Sequence, residues 1–118
     1  MANGHEPRLL PRLRVLDGET IVLGPGKADL LDAIERQGSL RDAADELGMS
    51  YMRAWRLIQT MNAAFREPVV LLRRGGRTHG GAELTAGGRE ALDLYRAMEA
   101  DSLRATRTAW KRLRKLLR

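Results

Sequence analysis

The chain has 118 residues, of which 43% are hydrophobic and only 4% aromatic, so it suits one domain whose core is built from aliphatic side chains between helices. It contains no cysteine and two histidines, which excludes disulfides and thiolate metal sites and argues against a histidine metal cluster. Residues 102–118 carry seven Lys or Arg and no acid, so the formal net charge of +6 belongs to this segment and the remainder is close to neutral.

The first elements are predicted to be a hairpin and a helix. In residues 9–24, Leu13 and Val15 alternate with Arg12 and Arg14, a turn is expected near Asp17-Gly18, and a short apolar run follows at 21–23. The sequence Gly24-Pro25-Gly26 breaks the second strand, and apolar residues at helical spacing then predict a helix over 27–37 that Gly38 ends.

Two further helices are predicted to meet at a short turn. Ser39 is a candidate N-cap for the second helix, and Ser50 is one for a third helix over about 50–66. The small Ala44 and the flexible Gly48 permit a steep crossing between the two helices. This arrangement is typical of a helix-turn-helix.

In a helix-turn-helix, the start of the second helix of the pair projects into the major groove of DNA. We therefore expect Arg53 or Arg56 to make a bidentate contact to guanine, worth about 1–3 kcal/mol of discrimination. The predicted contacts to bases and phosphates are Ser39, Ser50, Tyr51, Met52, Arg53 and Arg56. The alternative is a helical hairpin in a protein that does not bind DNA, with the arginines on a solvated face.

Residues 69–84 are predicted to form a second hairpin with a glycine-rich, basic tip. We interpret it as a wing that lies beside the DNA backbone or in the minor groove. Its predicted DNA-binding residues are Arg73, Arg74, Arg77 and His79. A solvent-exposed loop is the alternative, above all for His79. Trp55 could face the groove or pack under a hairpin, and packing is favoured because large apolar rings are usually buried.

The last predicted element is one helix of about thirty residues that Thr85 caps. A helix this long cannot bury its full length against so small a domain, so its outer half is expected to meet a second copy. The predicted dimer interface consists of Tyr95, Met98, Ser102, Thr106, Trp110 and Leu113.

Other motifs do not predict catalysis. Gly24–Lys27 lacks the remainder of a phosphate-binding loop, because Ile21 replaces its first glycine and Ala28 its Ser or Thr. Acidic groups such as Asp29, Asp32 and Glu35 have no histidine partners and are interpreted as solvated helix faces. We expect no enzyme activity, no metal and no cofactor.

Together these elements predict a mainly α fold with small β-hairpins, a winged helix-turn-helix followed by a long dimerisation helix. Residues 1–118 form one domain, with the hairpin, helix-turn-helix and wing in 9–84 and the helix with its basic tail in 85–118. The predicted function is that of a homodimeric, sequence-specific transcription regulator that binds double-stranded DNA. A protein- or RNA-interaction module that uses the basic C-terminal helix is the alternative. Because no signal peptide or apolar run of about eighteen residues is visible, we expect a cytoplasmic protein without a membrane partner.

Several short motifs resemble a known family. They are Gly24–Ile34, Ser39–Asn62, Gly75–Gly81, Leu84-Thr85, Gly88 and Tyr95. Over about residues 9–105 the sequence resembles the N-terminal DNA-binding domain of the ModE-type molybdate-responsive regulators, which is related to the LysR-type winged helix. The resemblance implies a winged helix, a dimerising helix and transcription control at an inverted-repeat operator. In that family separate C-terminal β-barrel domains sense molybdate; this sequence shows no such effector domain, so we do not expect it to bind molybdate.

Overall fold

The computed structural model describes residues 6–74 and 80–118 of the chain. The elements in chain order are β1 (Val15–Asp17), β2 (Thr20–Leu23), α1 (Pro25–Gln37), α2 (Leu40–Glu46), α3 (Tyr51–Ala64), β3 (Val70–Leu72), β4 (Ala82–Leu84), α4 (Ala86–Ala105) and α5 (Arg107–Arg114). The strands pair as antiparallel hairpins, β1 with β2 and β3 with β4. This confirms the predicted fold class, a mainly helical winged helix-turn-helix followed by a helical C-terminal segment.

Side-chain caps and a glycine set the boundaries of α2 and α3. The Ser39 hydroxyl accepts a hydrogen bond from the Asp42 N–H at 3.1 Å, and the Ser50 hydroxyl accepts one from the Arg53 N–H at 3.1 Å. Between the helices Gly48 has a φ of 67°, a left-handed conformation that glycine adopts without a steric penalty. The predicted caps and the predicted turn are confirmed.

The core lies between α1, the α2–α3 pair, the base of the β3–β4 hairpin and α4. The fully buried side chains include Leu30, Leu31 and Ile34 of α1 and Ala54, Ile58 and Met61 of α3. Ala44 of α2 is also fully buried in this cluster, so the two helices of the pair approach closely there. Each fully buried large aliphatic side chain contributes about 1.5–3 kcal/mol, so the apolar stripes hold the two helices at a fixed angle.

Four hydrogen bonds anchor the β3–β4 hairpin to the helices. The Asn62 side-chain oxygen accepts hydrogen bonds from the N–H groups of Val69 at 2.7 Å and Val70 at 3.2 Å, and its nitrogen donates to the Val70 carbonyl at 3.1 Å. The Ala82 N–H donates to the Gly38 carbonyl at 2.9 Å. The base of the wing is therefore fixed relative to both α1 and α3.

The C-terminal helical segment is interrupted at Thr106, so the expectation of one unbroken helix is wrong. Thr106 has φ −98° and ψ 3°, and its hydroxyl donates to the Ser102 carbonyl at 2.6 Å. A threonine hydroxyl that bonds back to the preceding turn competes with the backbone ladder and often bends a helix. Within the described ranges, no helix is long and apolar enough to cross a membrane.

Tyr95 packs inside its own chain. Its side chain is fully buried, and its hydroxyl donates to the Leu13 carbonyl at 2.8 Å, which ties α4 to the segment before β1. Burial raises the pKa of Tyr95 above its ordinary value. The prediction of Tyr95 at a dimer interface is therefore corrected, because its own core already covers the ring.

Ion pairs join α4 to α1. Arg96 contacts Asp29 at 3.0 Å and also pairs with Asp32, and Arg89 contacts Glu35 at 2.9 Å. Burial disfavours the charge of Arg96, but its hydrogen bonds to carboxylates outweigh that effect and raise its pKa. These acids do not form a merely solvated face, as the sequence suggested, but hold the long helix against the domain.

Candidate nucleic-acid interface

The face of α3 opposite its buried stripe is open to solvent. Tyr51 is 47% exposed, Met52 50% and Trp55 38%, whereas Ala54 and Ile58 on the inner face are fully buried. The favoured prediction that Trp55 packs under a hairpin is therefore wrong. Because the caps and the core fix the helix backbone, these side chains form a rigidly mounted surface at the start of α3.

Arg53 and Arg56 lie three residues apart on α3, and both are exposed. Residues three apart are neighbours on a helix surface. Among the described residues, the ion pairs use other basic side chains, namely Arg36, Arg73, Arg89, Arg96 and Arg104. The guanidinium groups of Arg53 and Arg56 are thus not committed to holding the fold and can bind a ligand.

The two predicted serine contacts differ in accessibility. Ser39 is only 7% exposed, and its hydroxyl accepts the Asp42 N–H as the cap of α2. This contradicts the prediction that Ser39 touches a phosphate, because a buried cap cannot reach one. Ser50 caps α3 in the same way but remains exposed.

The described part of the wing carries Arg73 and Arg74, both exposed. Arg73 forms an ion pair with Glu83 on the opposite strand, and its N–H donates to the Gly81 carbonyl at 2.7 Å. The Arg73 side chain therefore also stabilises the hairpin. The predicted contacts Arg77 and His79 lie outside the described residues.

Further basic side chains, which sequence reasoning did not assign to DNA, lie beside α3. Arg12, Arg14, Lys27 and Arg53 line a cavity between the first hairpin, the start of α1 and α3. Lys27 donates to the Ile21 carbonyl at 2.7 Å, and burial lowers its pKa. The basic residues ahead of α1 were visible in the sequence, but their proximity to α3 was not, because Arg12 and Arg53 are far apart along the chain.

The outer part of the C-terminal segment exposes apolar side chains. Met98 is 41% exposed and Leu113 53%, and Trp110 is half-buried. Ser102 is also half-buried, and Thr106 is exposed. Two exposed leucines that the sequence analysis did not select lie nearby, Leu94 at 58% and Leu103 at 42%.

Comparisons with known proteins agree with this geometry. Residues 27–89, more than half of the chain, match the model of the family described as bacterial regulatory helix-turn-helix protein, lysR family. The chain is 40% identical over 94 residues to the molybdenum transport protein ModE of Azotobacter vinelandii, an alignment that covers 80% of this chain and 35% of that protein.

Two other relatives match the same region. The molybdenum-pterin-binding protein MopB of Rhodobacter capsulatus is 42% identical over 86 residues, which cover 73% of this chain and 32% of that protein. The DNA-binding transcriptional dual regulator ModE of Escherichia coli K12 is 37% identical over 71 residues, 60% of this chain and 27% of that protein. The chain spans about a third of the length of these relatives. It belongs to the bacterial regulatory helix-turn-helix proteins of the lysR family and is homologous to the ModE regulators.

Proposed function

We propose that the chain binds double-stranded DNA sequence-specifically, as a homodimer, and regulates transcription. The observation that carries the proposal is the exposed start of α3, where Arg53 and Arg56 have no acidic partner among the described residues, on a helix-turn-helix that matches a regulatory family. The E. coli relative is named as a DNA-binding transcriptional regulator, which supports the same function here.

In this proposal α3 enters the major groove and Arg56 reads a guanine through two parallel hydrogen bonds. Tyr51, Met52 and Trp55 offer exposed apolar surface beside it, suited to contacts with thymine methyl groups and sugars. Arg74 on the wing, with Arg77 and His79, would contact the backbone or the minor groove.

The test is selection of bound duplexes from random DNA at fixed salt, followed by affinity measurements on the enriched and scrambled sequences. We expect Arg56→Ala to reduce the preference for the enriched duplex about tenfold or more. Arg66→Ala is the matched control, because it removes another exposed arginine, which lies beyond the end of α3. If the wild type and Arg56→Ala show the same preference for the enriched duplex, the proposal that Arg56 of α3 reads a base is wrong.

The proposed dimer uses the exposed apolar side chains of α4 and α5, with Met98, Trp110 and Leu113 at its centre. An enriched inverted repeat would reflect the two-fold symmetry of such a dimer. Sedimentation equilibrium checks the assembly directly. We expect Met98→Asp to yield monomers, and Leu10→Asp, which alters an exposed apolar residue outside α4 and α5, to leave the dimer intact.

The basic C-terminal segment is the main surface of the alternative function. Truncation after Leu103 separates the two proposals. If the shortened chain is monomeric and binds DNA more weakly, but keeps the sequence preference conferred by Arg56, the DNA-binding proposal holds. Loss of all nucleic-acid binding, with no contribution from Arg53 or Arg56, favours an interaction module.

Selection with and without molybdate addresses the effector. The A. vinelandii relative is named as a molybdenum transport protein, but none of the contacts to DNA that we propose involves molybdate. We therefore expect the same enriched sequence in both conditions.

A further inference from the structure

A small basic cavity lies between the start of α1, the first hairpin and α3. Its volume is about 200 Å³, and its basic lining side chains are Arg12, Arg14, Lys27 and Arg53. The remaining lining residues are apolar side chains, glycines and a proline, and no acid is among them. We call this feature the α1–α3 notch.

The charges of the notch are not neutralised within the described part of the chain. The ion pairs there leave out Arg12, Arg14 and Arg53, and Lys27 donates to a backbone carbonyl instead of a carboxylate. Like charges that line one small cavity repel one another. An anion in the notch would convert that repulsion into attraction.

Backbone geometry at the start of α1 also favours an anion. No side chain caps this helix at Gly24, and the first helical hydrogen bond runs from the Ala28 N–H to the Gly24 carbonyl at 2.8 Å. The N–H groups of Gly26 and Lys27 therefore precede the first bond of the helix, in the position that suits anions. A side chain added at Gly26 would meet nothing within 4 Å, so the space beside it is open.

We propose that the α1–α3 notch binds a backbone phosphate of the DNA whose major groove receives α3. This inference rests on the proposed function and deepens it. Phosphates border the major groove, and Arg53 in the first turn of α3 lines the notch, whereas Arg56 lies farther along the helix and does not line it. Arg53 thus contacts the backbone, which leaves base reading to Arg56.

The experiment measures affinity for the enriched duplex by fluorescence anisotropy over a range of salt concentrations, with the full chain. Log affinity falls as log salt rises, and each phosphate contact adds about 0.9 to the magnitude of that negative slope. We expect Arg12→Ala/Arg14→Ala to reduce the magnitude of that slope by about one and to weaken binding about eightfold at 0.1 M salt. The enriched and scrambled duplexes are weakened equally, because phosphates carry no sequence information.

The matched control is Arg107→Ala/Arg112→Ala, which removes the same charge from α5. Smaller losses of slope and affinity in this control support the notch, whereas equal losses in both pairs attribute the effect to net charge and overturn it. Arg12→Gln/Arg14→Gln serves as a second variant if the alanine pair changes the urea midpoint. An unchanged slope in a folded variant also overturns the assignment.

Two further arms separate the possible failures. If the wild-type chain prefers no duplex, the proposed function itself fails; if Arg56→Ala loses the preference while the notch variant behaves as wild type, only the notch assignment fails. Titration with inorganic phosphate, followed through the amide signals of Gly26 and Lys27, tests a free oxyanion. Tight phosphate binding combined with DNA affinity that is insensitive to Arg12 and Arg14 would contradict the backbone assignment.

Discussion

Gly88→Ala tests the contact between α4 and the base of the wing. Gly88 is buried in the first turn of α4. A Cβ at this position would lie 2.9 Å from the carbonyl carbon of Val69 and 3.1 Å from its Cα, and closer still to its carbonyl oxygen. Ordinary van der Waals contacts are 3.4–4 Å, so α4 and the chain before β3 must move apart by about an ångström.

The expected cost is about 3 kcal/mol of unfolding free energy. Overpacking against backbone costs roughly 1–3 kcal/mol. The same displacement weakens two hydrogen bonds of Thr85, from its N–H to the Val69 carbonyl at 3.0 Å and from its hydroxyl to the Pro68 carbonyl at 2.7 Å, each worth about 1 kcal/mol. Alanine returns up to about 1 kcal/mol of helix propensity, which is smaller than the combined losses.

Urea denaturation followed by circular dichroism, at one fixed protein concentration, measures the effect. Gly87→Ala is the matched control in the same turn, because its Cβ would meet only the Thr85 hydroxyl at 3.8 Å. We expect this control to be neutral or slightly stabilising. Equal urea midpoints for the two alanine variants would refute the steric argument.

Substitutions at two other residues test hydrogen bonds of the core. Asn62→Ala leaves the buried N–H of Val70 without its side-chain acceptor and should cost about 3 kcal/mol in urea unfolding. Asn62→Asp keeps the acceptor oxygens and should cost less. The reverse order of the two costs would contradict the hydrogen bonds described. Tyr95→Phe removes the bond to the Leu13 carbonyl and should cost about 1 kcal/mol at neutral pH. Because burial raises the Tyr95 pKa above 10.0, the folded state keeps a phenolic proton that the unfolded chain releases. The wild type should therefore lose stability relative to the phenylalanine variant as pH rises above 10. A constant difference in unfolding free energy from pH 8 to 11 would argue against a buried hydroxyl.

Short-range chemistry explains why the helix-turn-helix could be predicted. A serine cap depends only on the N–H of the residue three positions later, and a turn glycine depends only on its own backbone conformation. Ser39, Ser50 and Gly48 can therefore be identified without knowledge of the fold. The buried stripe of α3 likewise follows from helical periodicity.

Exposure of individual side chains could not be predicted in the same way. Trp55 was expected to be packed because large rings usually are, but it lies on the outer face of α3 at 38% exposure. Tyr95 belongs to an apolar stripe that continues past the domain, and the stripe itself does not say where the core ends. Its burial in the core and its bond to Leu13, distant in sequence, assign Tyr95 to the inside.

The sequence by itself determined that a cationic α3 begins at a capped turn after Gly48, because caps, turns and periodicity depend on neighbours along the chain. The tertiary structure alone decided which arginines face which surface. It brought Arg12 and Arg14 beside Arg53 and paired Arg96 of α4 with Asp32 of α1, because packing of the first hairpin, α1, α3 and α4 joins positions that no local pattern relates.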